Sequence, residues 1–336
     1  MNIQKNKSLK NLNTFGIDAK AKFFVELNSK NDFLKLLELL KKHPKYFVLG
    51  GGSNILFKDD FDGLVIKPEL KGLRIIEKNK SWEVYAQAGE NWHEFVKFTV
   101  DNSFYGLENL ALIPGNVGAA PVQNIGAYGV EQDEYFLELE YYDFNSNEFK
   151  RIRNEECCFS YRDSIFKNSL KGKVIITEVV YELKKKFIPC LKYKELKDII
   201  FKNHITAFNQ KDVFETVIEI RRNKLPYPDE LGNAGSFFKN PVVNSSTLKK
   251  LQSKFPEIKS FPFNQEFKLS AGWLIDKAGF KGFRIGDAGV SDKHALILVN
   301  HGKATGEDIY SLSEKIIKSV KDKFDVLLER EVNIIH

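Results

Sequence analysis

Tyr46-Phe47-Val48-Leu49 runs directly into Gly50-Gly51-Gly52-Ser53-Asn54. The first four residues read as a strand. Three glycines straight after it let the backbone turn tightly and approach a ligand closely. The N–H groups of such a turn form an anion-binding nest suited to a pyrophosphate. The string is neither G-x-G-x-x-G nor a P-loop, so a Rossmann reading is not supported; a plain tight turn stays open as the alternative. Upstream, Asn31 to His43 reads as an amphipathic helix with Phe33, Leu36, Leu37 and Leu40 on one face. Helix, strand and glycine turn in succession make an α/β arrangement.

Downstream, Val84 to Gly89 reads as a strand. Asn91 to Val100 reads as a helix with Trp92, Phe95, Val96 and Thr99 on one face. Leu110 to Gly129 holds too many Gly, Ala and Pro residues for a regular element, and long ordered loops of this kind are often functional. Strands resume at Leu137 to Phe144 and Val174 to Leu183. Asp212 to Asn223 is expected as a helix capped by Asp212, with Phe214, Val217, Ile218 and Arg221 in register. Pro226 and Pro228 stop it, which makes Leu225 to Asn233 a domain joint. A further α/β region follows. Helices are expected near Ser246 to Phe255 and Leu269 to Ala278, the latter ended by Gly279. Ala295 to Val299 is expected as a buried strand. A long helix opens on the capping box Thr305/Asp308. The last strand, Val326 to Ile335, is expected to alternate, with Leu328, Arg330, Val332 and Ile334 on one face.

Length bounds the architecture: 336 residues are too many for one ordinary core and point to two or three domains. The net charge of +6 is spread along the chain, which fits solvated lysines or a basic funnel for anionic small molecules. No basic stripe with aromatic platforms argues for nucleic acid. Cys157, Cys158 and Cys190 have no zinc-type spacing, and their odd number fits a reducing cytosol. No apolar run reaches the roughly 18 residues that span a bilayer. A cytoplasmic location with neither membrane nor nucleic-acid partner is therefore expected.

Four more strings carry chemistry. Pro114-Gly115-Asn116-Val117-Gly118-Ala119-Ala120-Pro121 continues into Val122-Gln123-Asn124-Ile125-Gly126-Ala127-Tyr128-Gly129. Its small residues remove bulk, and the amides of Gln123 and Asn124 can bond a polar heterocycle. Gly232-Asn233-Ala234-Gly235-Ser236-Phe237-Phe238-Lys239-Asn240-Pro241 can hold a serine exposed at a pocket wall, though not as a G-x-S-x-G elbow. In Tyr161-Arg162-Asp163-Ser164 the guanidinium offers a planar fork for a carboxylate or phosphate, with a surface ion pair to Asp163 as the alternative. Glu329-Arg330-Glu331-Val332 places charges on the last strand.

Together these strings resemble the UDP-N-acetylenolpyruvoylglucosamine reductases, in order and over nearly the whole chain, from Asn13-Thr14-Phe15-Gly16-Ile17-Asp18 to Glu331. The resemblance implies an α+β, vanillyl-alcohol-oxidase-like (PCMH-type) fold. Residues 1–68 and 69–224 would form two FAD-binding subdomains, the second joined by the strand 326–336, and 225–325 a substrate-binding domain. It implies non-covalent FAD held by Gly50, Gly51, Gly52, Ser53, Asn54, Pro114, Gly115, Gly118, Ala119, Gln123, Asn124, Gly126, Ala127, Tyr128 and Gly129. NADPH would donate hydride and UDP-N-acetylglucosamine enolpyruvate would accept it, yielding UDP-N-acetylmuramate for peptidoglycan, in ping-pong order and on a monomer. Ser236 matches the family's proton donor, and Arg162 and Glu331 match its other active-site residues. Tyr161, Lys224, Asn240 and Lys281 fall at substrate or NADPH contacts. Tyr193 matches the tyrosine of the loop that covers the substrate diphosphate in the type I subgroup. His294 aligns where some members carry Gln, and Phe261 lies near a position where some carry Tyr. Two other readings compete: an O2-using flavin oxidase on the same fold, and a nucleotide-sensing module. An oxidase of that kind often tethers FAD to a His near the glycine turn, where His43 and His93 are the nearest.

Overall fold

The computed structural model describes residues 2–203 and 207–336. Contacts between Cα atoms divide the chain into two compact units. The first takes the chain up to Lys7, then Ala21–Gly51 and Asp62–Asn223; the second takes Ser8–Lys20, Gly52–Phe61 and Lys224–His336. The glycine turn straddles the division, with Gly50 and Gly51 in the first unit and Gly52 in the second.

In the first unit a four-stranded sheet runs Gln4–Ser8, Lys20–Leu27, Phe61–Pro68, Tyr46–Val48. The strand that feeds the glycine turn lies parallel to Phe61–Pro68. Helix Lys30–Lys42 opens on a capping box, Ser29 with Asp32, and buries Phe33, Leu36 and Leu39 in a core with Val25, Leu27, Leu64 and Ile66. The apolar stripe expected from the sequence is thus the face that packs, except that Leu37 and Leu40 lie at its margin. A second, antiparallel sheet runs Glu148–Arg153, Phe136–Asp143, Val174–Lys184, Ser81–Gln87, Leu73–Glu77. Helices Trp92–Asp101 and Gln210–Lys224 share its core, through Trp92, Phe95, Val213 and Val217 with Leu139, Val179 and Tyr181.

In the second unit, Gly232–Ser236, Ile297–Asn300, Ala288–Val290 and Arg284–Ile285 form an antiparallel sheet. Helix Gly306–Phe324 packs on it with Ile309, Leu312, Ile316, Val320 and Phe324 buried, and its Thr305/Asp308 capping box is formed. A smaller sheet orders Val242–Val243, Glu266–Leu269 and Ser260–Phe263. Gly279 ends helix Ala271–Lys277 with φ +86°.

Two expectations are corrected. Asp212 is not the N-cap: the helix starts at Gln210, and Asn209 Oδ1 accepts from the N–H groups of Lys211 and Asp212 at 2.8 and 3.3 Å. Asp212 answers by accepting the Asn209 N–H at 2.7 Å, the reciprocal half of a capping box. The last strand is also shorter. Only Asn333–Ile335 pairs as a strand, parallel to Ile55–Phe57, while Phe238 and Arg330 form an isolated bridge. Val326, Leu328 and Val332 are buried, but burial then moves to Ile335 and leaves Ile334 half-exposed. The alternation breaks where the chain changes pairing partner.

Candidate active site

Gly50 and Gly51 lie directly against the Pro114–Gly129 stretch. A Cβ on Gly50 would sit 3.2 Å from Ala119 Cβ, and one on Gly51 would sit 2.7 Å from Gly115 Cα and 2.9 Å from Asn116 Oδ1. Gly118 is as tight, with a Cβ position 2.5 Å from Ala88 Cβ. The stretch folds as short 3-10 turns, Val117–Ala119 and Pro121–Gln123, followed by a minimal hairpin, Gly126–Ala127 with Val130–Glu131. Its first half is fastened to the start of helix Trp92–Asp101: Trp92 N–H donates to the Gly115 carbonyl at 3.0 Å and Val117 N–H to that of Glu90 at 2.9 Å. A helix N-terminus beside glycine backbone favours an anion. Close backbone approach and the absence of side-chain bulk fit a phosphate-bearing dinucleotide such as FAD.

Asn124 departs from a simple contact role. It is fully buried at φ +44°. Its carboxamide bonds Glu131, Ser160, Gln132 and Asp133 at 3.1–3.4 Å. The side chain therefore braces the loop from inside, and what faces a ligand is set by its backbone. At the loop's far end, Tyr128 takes φ +50° and meets the Tyr193 ring edge-on at 5.0 Å. A Cβ on Gly129 would come 2.9 Å from Lys192 Cβ, so the Tyr193 segment packs on this end of the loop.

Arg162, at φ +56°, turns its guanidinium to the same loop and donates to the carbonyls of Gly126 at 2.6 Å and Asn124 at 3.3 Å. Its carbon lies 5.3 Å from the Tyr161 ring centroid and its Nη1 is 4.0 Å from Glu131. Asp163 instead accepts from Asn168 at 3.1 Å. The alternative of an Arg162–Asp163 surface pair is not what forms.

The second unit gathers three strings that lie far apart in sequence. Strand Gly232–Ser236 slips register against Ile297–Asn300 between Asn233 and Ser236, at Gly235 with φ +68°. Asn233 builds this bulge: its carboxamide donates to Pro226 and Leu231 carbonyls and accepts the Gly235 N–H at 2.9 Å. The bulge re-aims the strand, so that Ser236 is exposed between buried Ala234 and Phe237. The Phe237 carbonyl accepts the Glu331 N–H at 2.9 Å. Asn54 Nδ2 donates to the Glu331 carbonyl at 3.2 Å, and the Asn54 carbonyl accepts from Asn333. Gly52, at φ +66°, anchors the Thr14 N–H at 3.1 Å. Sequence reasoning missed Asn233, although an Asn amid G-N-A-G was its signal.

His294, half-buried, accepts the Leu296 N–H on Nδ1 at 3.3 Å. Burial above all, then the ammonium groups of Lys224 and Lys281, hold its imidazolium below the usual histidine range. A neutral ring with Nδ1 accepting presents Nε2–H as a donor, the same service a Gln amide would give. Asn240 accepts the Ala271 N–H at 3.0 Å. Phe261 is exposed on strand Ser260–Phe263. Among the described residues no group of three or more His, Cys, Asp or Glu could hold a metal.

The family model for the C-terminal domain of UDP-N-acetylenolpyruvoylglucosamine reductase matches residues 226–335, and one for an FAD binding domain matches residues 21–150. The UDP-N-acetylenolpyruvoylglucosamine reductase of Flavobacterium johnsoniae is 49% identical over 338 residues, covering 100% of both chains. The chain belongs to the UDP-N-acetylenolpyruvoylglucosamine reductase family. The Shewanella oneidensis reductase is 47% identical over 97% of this chain and 95% of its own. The crystal structure of the Thermus caldophilus reductase superposes with a TM-score of 0.68 at 24% identity, covering 100% of both chains, and shows the same fold. As a member of this reductase family the chain is an FAD-dependent oxidoreductase with an FAD-binding domain.

Proposed function

We propose that Ser236, Arg162 and Glu331 carry the substrate chemistry of this reductase, which converts UDP-N-acetylglucosamine enolpyruvate to UDP-N-acetylmuramate. FAD, when bound, supplies the hydride relay from NADPH to the CH2 carbon of the enolpyruvyl group. As charge develops on the neighbouring carbon and its carboxylate, Arg162 offers its fork to that carboxylate. Glu331, in its acid form, is a second donor. Ser236 protonates the carbon as general acid. A serine is a weak acid and needs a nearby cation or dipole, for which Lys224 and the local backbone are the candidates. Tyr161, Tyr193, Asn240, Lys281 and His294 hold the nucleotide; two ammonium groups beside an imidazole N–H suit a diphosphate.

The observation that carries this reading is the Ser236 bulge, with the adjacent Phe237 carbonyl bonded to Glu331. An oxidase with FAD tethered to histidine is disfavoured, because His43 packs on Phe23 and His93 stacks on Phe214. Free thiols at Cys157, Cys158 and Cys190 support a cytoplasmic setting. Among the described residues no helix is long and apolar enough to cross a membrane.

The test is Ser236→Ala. NADPH should still bleach the flavin absorbance, while reoxidation by the enolpyruvyl nucleotide slows by roughly 10²- to 10⁴-fold, the usual contribution of a general acid. Wild-type rates in both half-reactions would remove the serine from its role.

A further inference from the structure

Leu112 stands two residues before Pro114 and adopts φ +57°, a left-handed conformation that a branched side chain rarely takes. Such a residue persists only where its surroundings over-determine it. Here both its backbone polar groups are claimed by side chains. The N–H donates to His93 Nδ1 at 3.1 Å, and the carbonyl accepts from Arg221 Nε at 3.2 Å. The imidazole lies flat on the Phe214 ring, 5.6 Å between centroids and 9° between planes. Its neighbour Trp92 fastens Leu110 and Gly115 on either side of Leu112. Arg221 is half-buried, with the Tyr128 hydroxyl bonded to it. Its partners are the Leu112 carbonyl and the Tyr128 hydroxyl, and among the described residues no carboxylate pairs with it. Arg221 therefore touches both wings of the glycine-rich loop: Leu112 ahead of Pro114 and Gly115, and Tyr128 at the far end.

We infer that His93 and Arg221 are positioning residues for the cofactor cradle, holding Leu112 left-handed and so setting the spacing between the Pro114–Gly118 and Tyr128 wings that grip FAD. The inference rests on the FAD reading of that loop. Both residues act on the loop through the backbone of Leu112. The charge state of His93 decides whether the clamp is closed. Only a neutral ring can accept the Leu112 N–H, and an imidazolium would set a second N–H against it. Burial foremost, then Arg222 and Arg221 from the facing helix and Lys97 from its own, keep the ring neutral below the usual histidine range; Glu94 opposes them. Acidification should open the clamp.

The experiment follows FAD release from holoenzyme after dilution, by the rise in flavin fluorescence, over a pH series from 8 down to 4.5. Wild type should release FAD faster as pH falls below the usual histidine range, by about tenfold once the ring is charged, the scale of one buried donor left unmet. His93→Asn keeps an acceptor oxygen in the place of Nδ1 but cannot titrate, so its release should be slow and level across the series. His93→Ala should release FAD quickly throughout. The inference is overturned if His93→Ala keeps FAD as wild type does, or if His93→Asn retains the wild-type pH response. It is also overturned if wild type shows no such response across the series. Should His93→Ala not fold, the His93→Asn profile alone decides. Wild-type protein that takes up no FAD would overturn the reading of the loop itself, and the inference with it.

Discussion

Gly51→Ala isolates the contact on which the proposed cofactor cradle is built. The glycine has no positive φ, so alanine is allowed there by backbone geometry and the only new element is a methyl group. That methyl would sit 2.7 Å from Gly115 Cα and 3.0 Å from Gly115 C. Carbon atoms rest at about 3.5–4.0 Å, so the two strings must part by roughly 0.8 Å. The Asn116 carboxamide, 2.9 Å from the methyl, can turn aside, but Gly115 is backbone and has no rotamer to give way. Overpacking of this kind costs about 1–3 kcal/mol, which is roughly a 5- to 150-fold change in an equilibrium constant. Because the parting widens the nest for the phosphates, the loss should appear in FAD affinity, titrated by fluorescence quenching, with a smaller fall in the urea midpoint. Gly50→Ala is the internal comparison: its methyl meets the Ala119 methyl at 3.2 Å, and less than a fivefold loss is expected, about 1 kcal/mol. If Gly51→Ala binds FAD within twofold of wild type at unchanged stability, the two strings do not form one cradle.

Two further outcomes follow from buried polar groups. Asn233→Ala removes the carboxamide that satisfies Pro226, Leu231 and Gly235; it should cost about 2 kcal/mol or more in urea unfolding and slow the enolpyruvyl half-reaction, and a variant normal in both would show that the bulge does not place Ser236. Glu108 is buried, and burial outweighs the Gly106 N–H, Gln210 and Lys184 to push its carboxyl above the ordinary 4.5. A raised carboxyl stabilises the fold at low pH and loses that contribution as pH climbs through the folded value. Relative to Glu108→Gln, wild type should therefore weaken progressively from about pH 4.5 upward; parallel stability profiles would show that Glu108 titrates as it does in the unfolded chain.

Much of the architecture is legible locally. Asn91 accepts the Glu94 N–H as the cap of its helix, and Thr305 with Asp308 opens the long one, because capping chemistry acts within one turn. Asp212 misleads for the same reason: Asn209 and Asp212 are both good caps three residues apart, and only the reciprocal bonding decides which stands outside. The last strand is shorter than its pattern because alternation between Val326 and Val332 reports burial, whereas strand pairing depends on Ile55–Phe57, far away in sequence. At the site, Ser236 is readable because small residues before it and phenylalanines after it fix which way it can face. The roles of His93 and Arg221 are not readable in that way. Arg221 shows only as a cation in register with Phe214, Val217 and Ile218, and the backbone it serves belongs to another part of the chain.

The bond from Asn54 to the Glu331 carbonyl joins residues 277 apart. Closing so long a loop in an unfolded chain costs about 5 kcal/mol from chain length alone. During synthesis, Ile55–Phe57 leave the ribosome early and wait for Asn333–Ile335 before their parallel pairing can form. The stretch Asp62–Asn223 is fully emerged by then and can settle first, as domains do when they fold in order of appearance. Glu331, the carboxylate proposed for the chemistry, is thus held by a contact of the long sequence separation that delays folding. Any nascent chain stalled short of that strand would have its Pro114–Gly129 loop and lack Glu331.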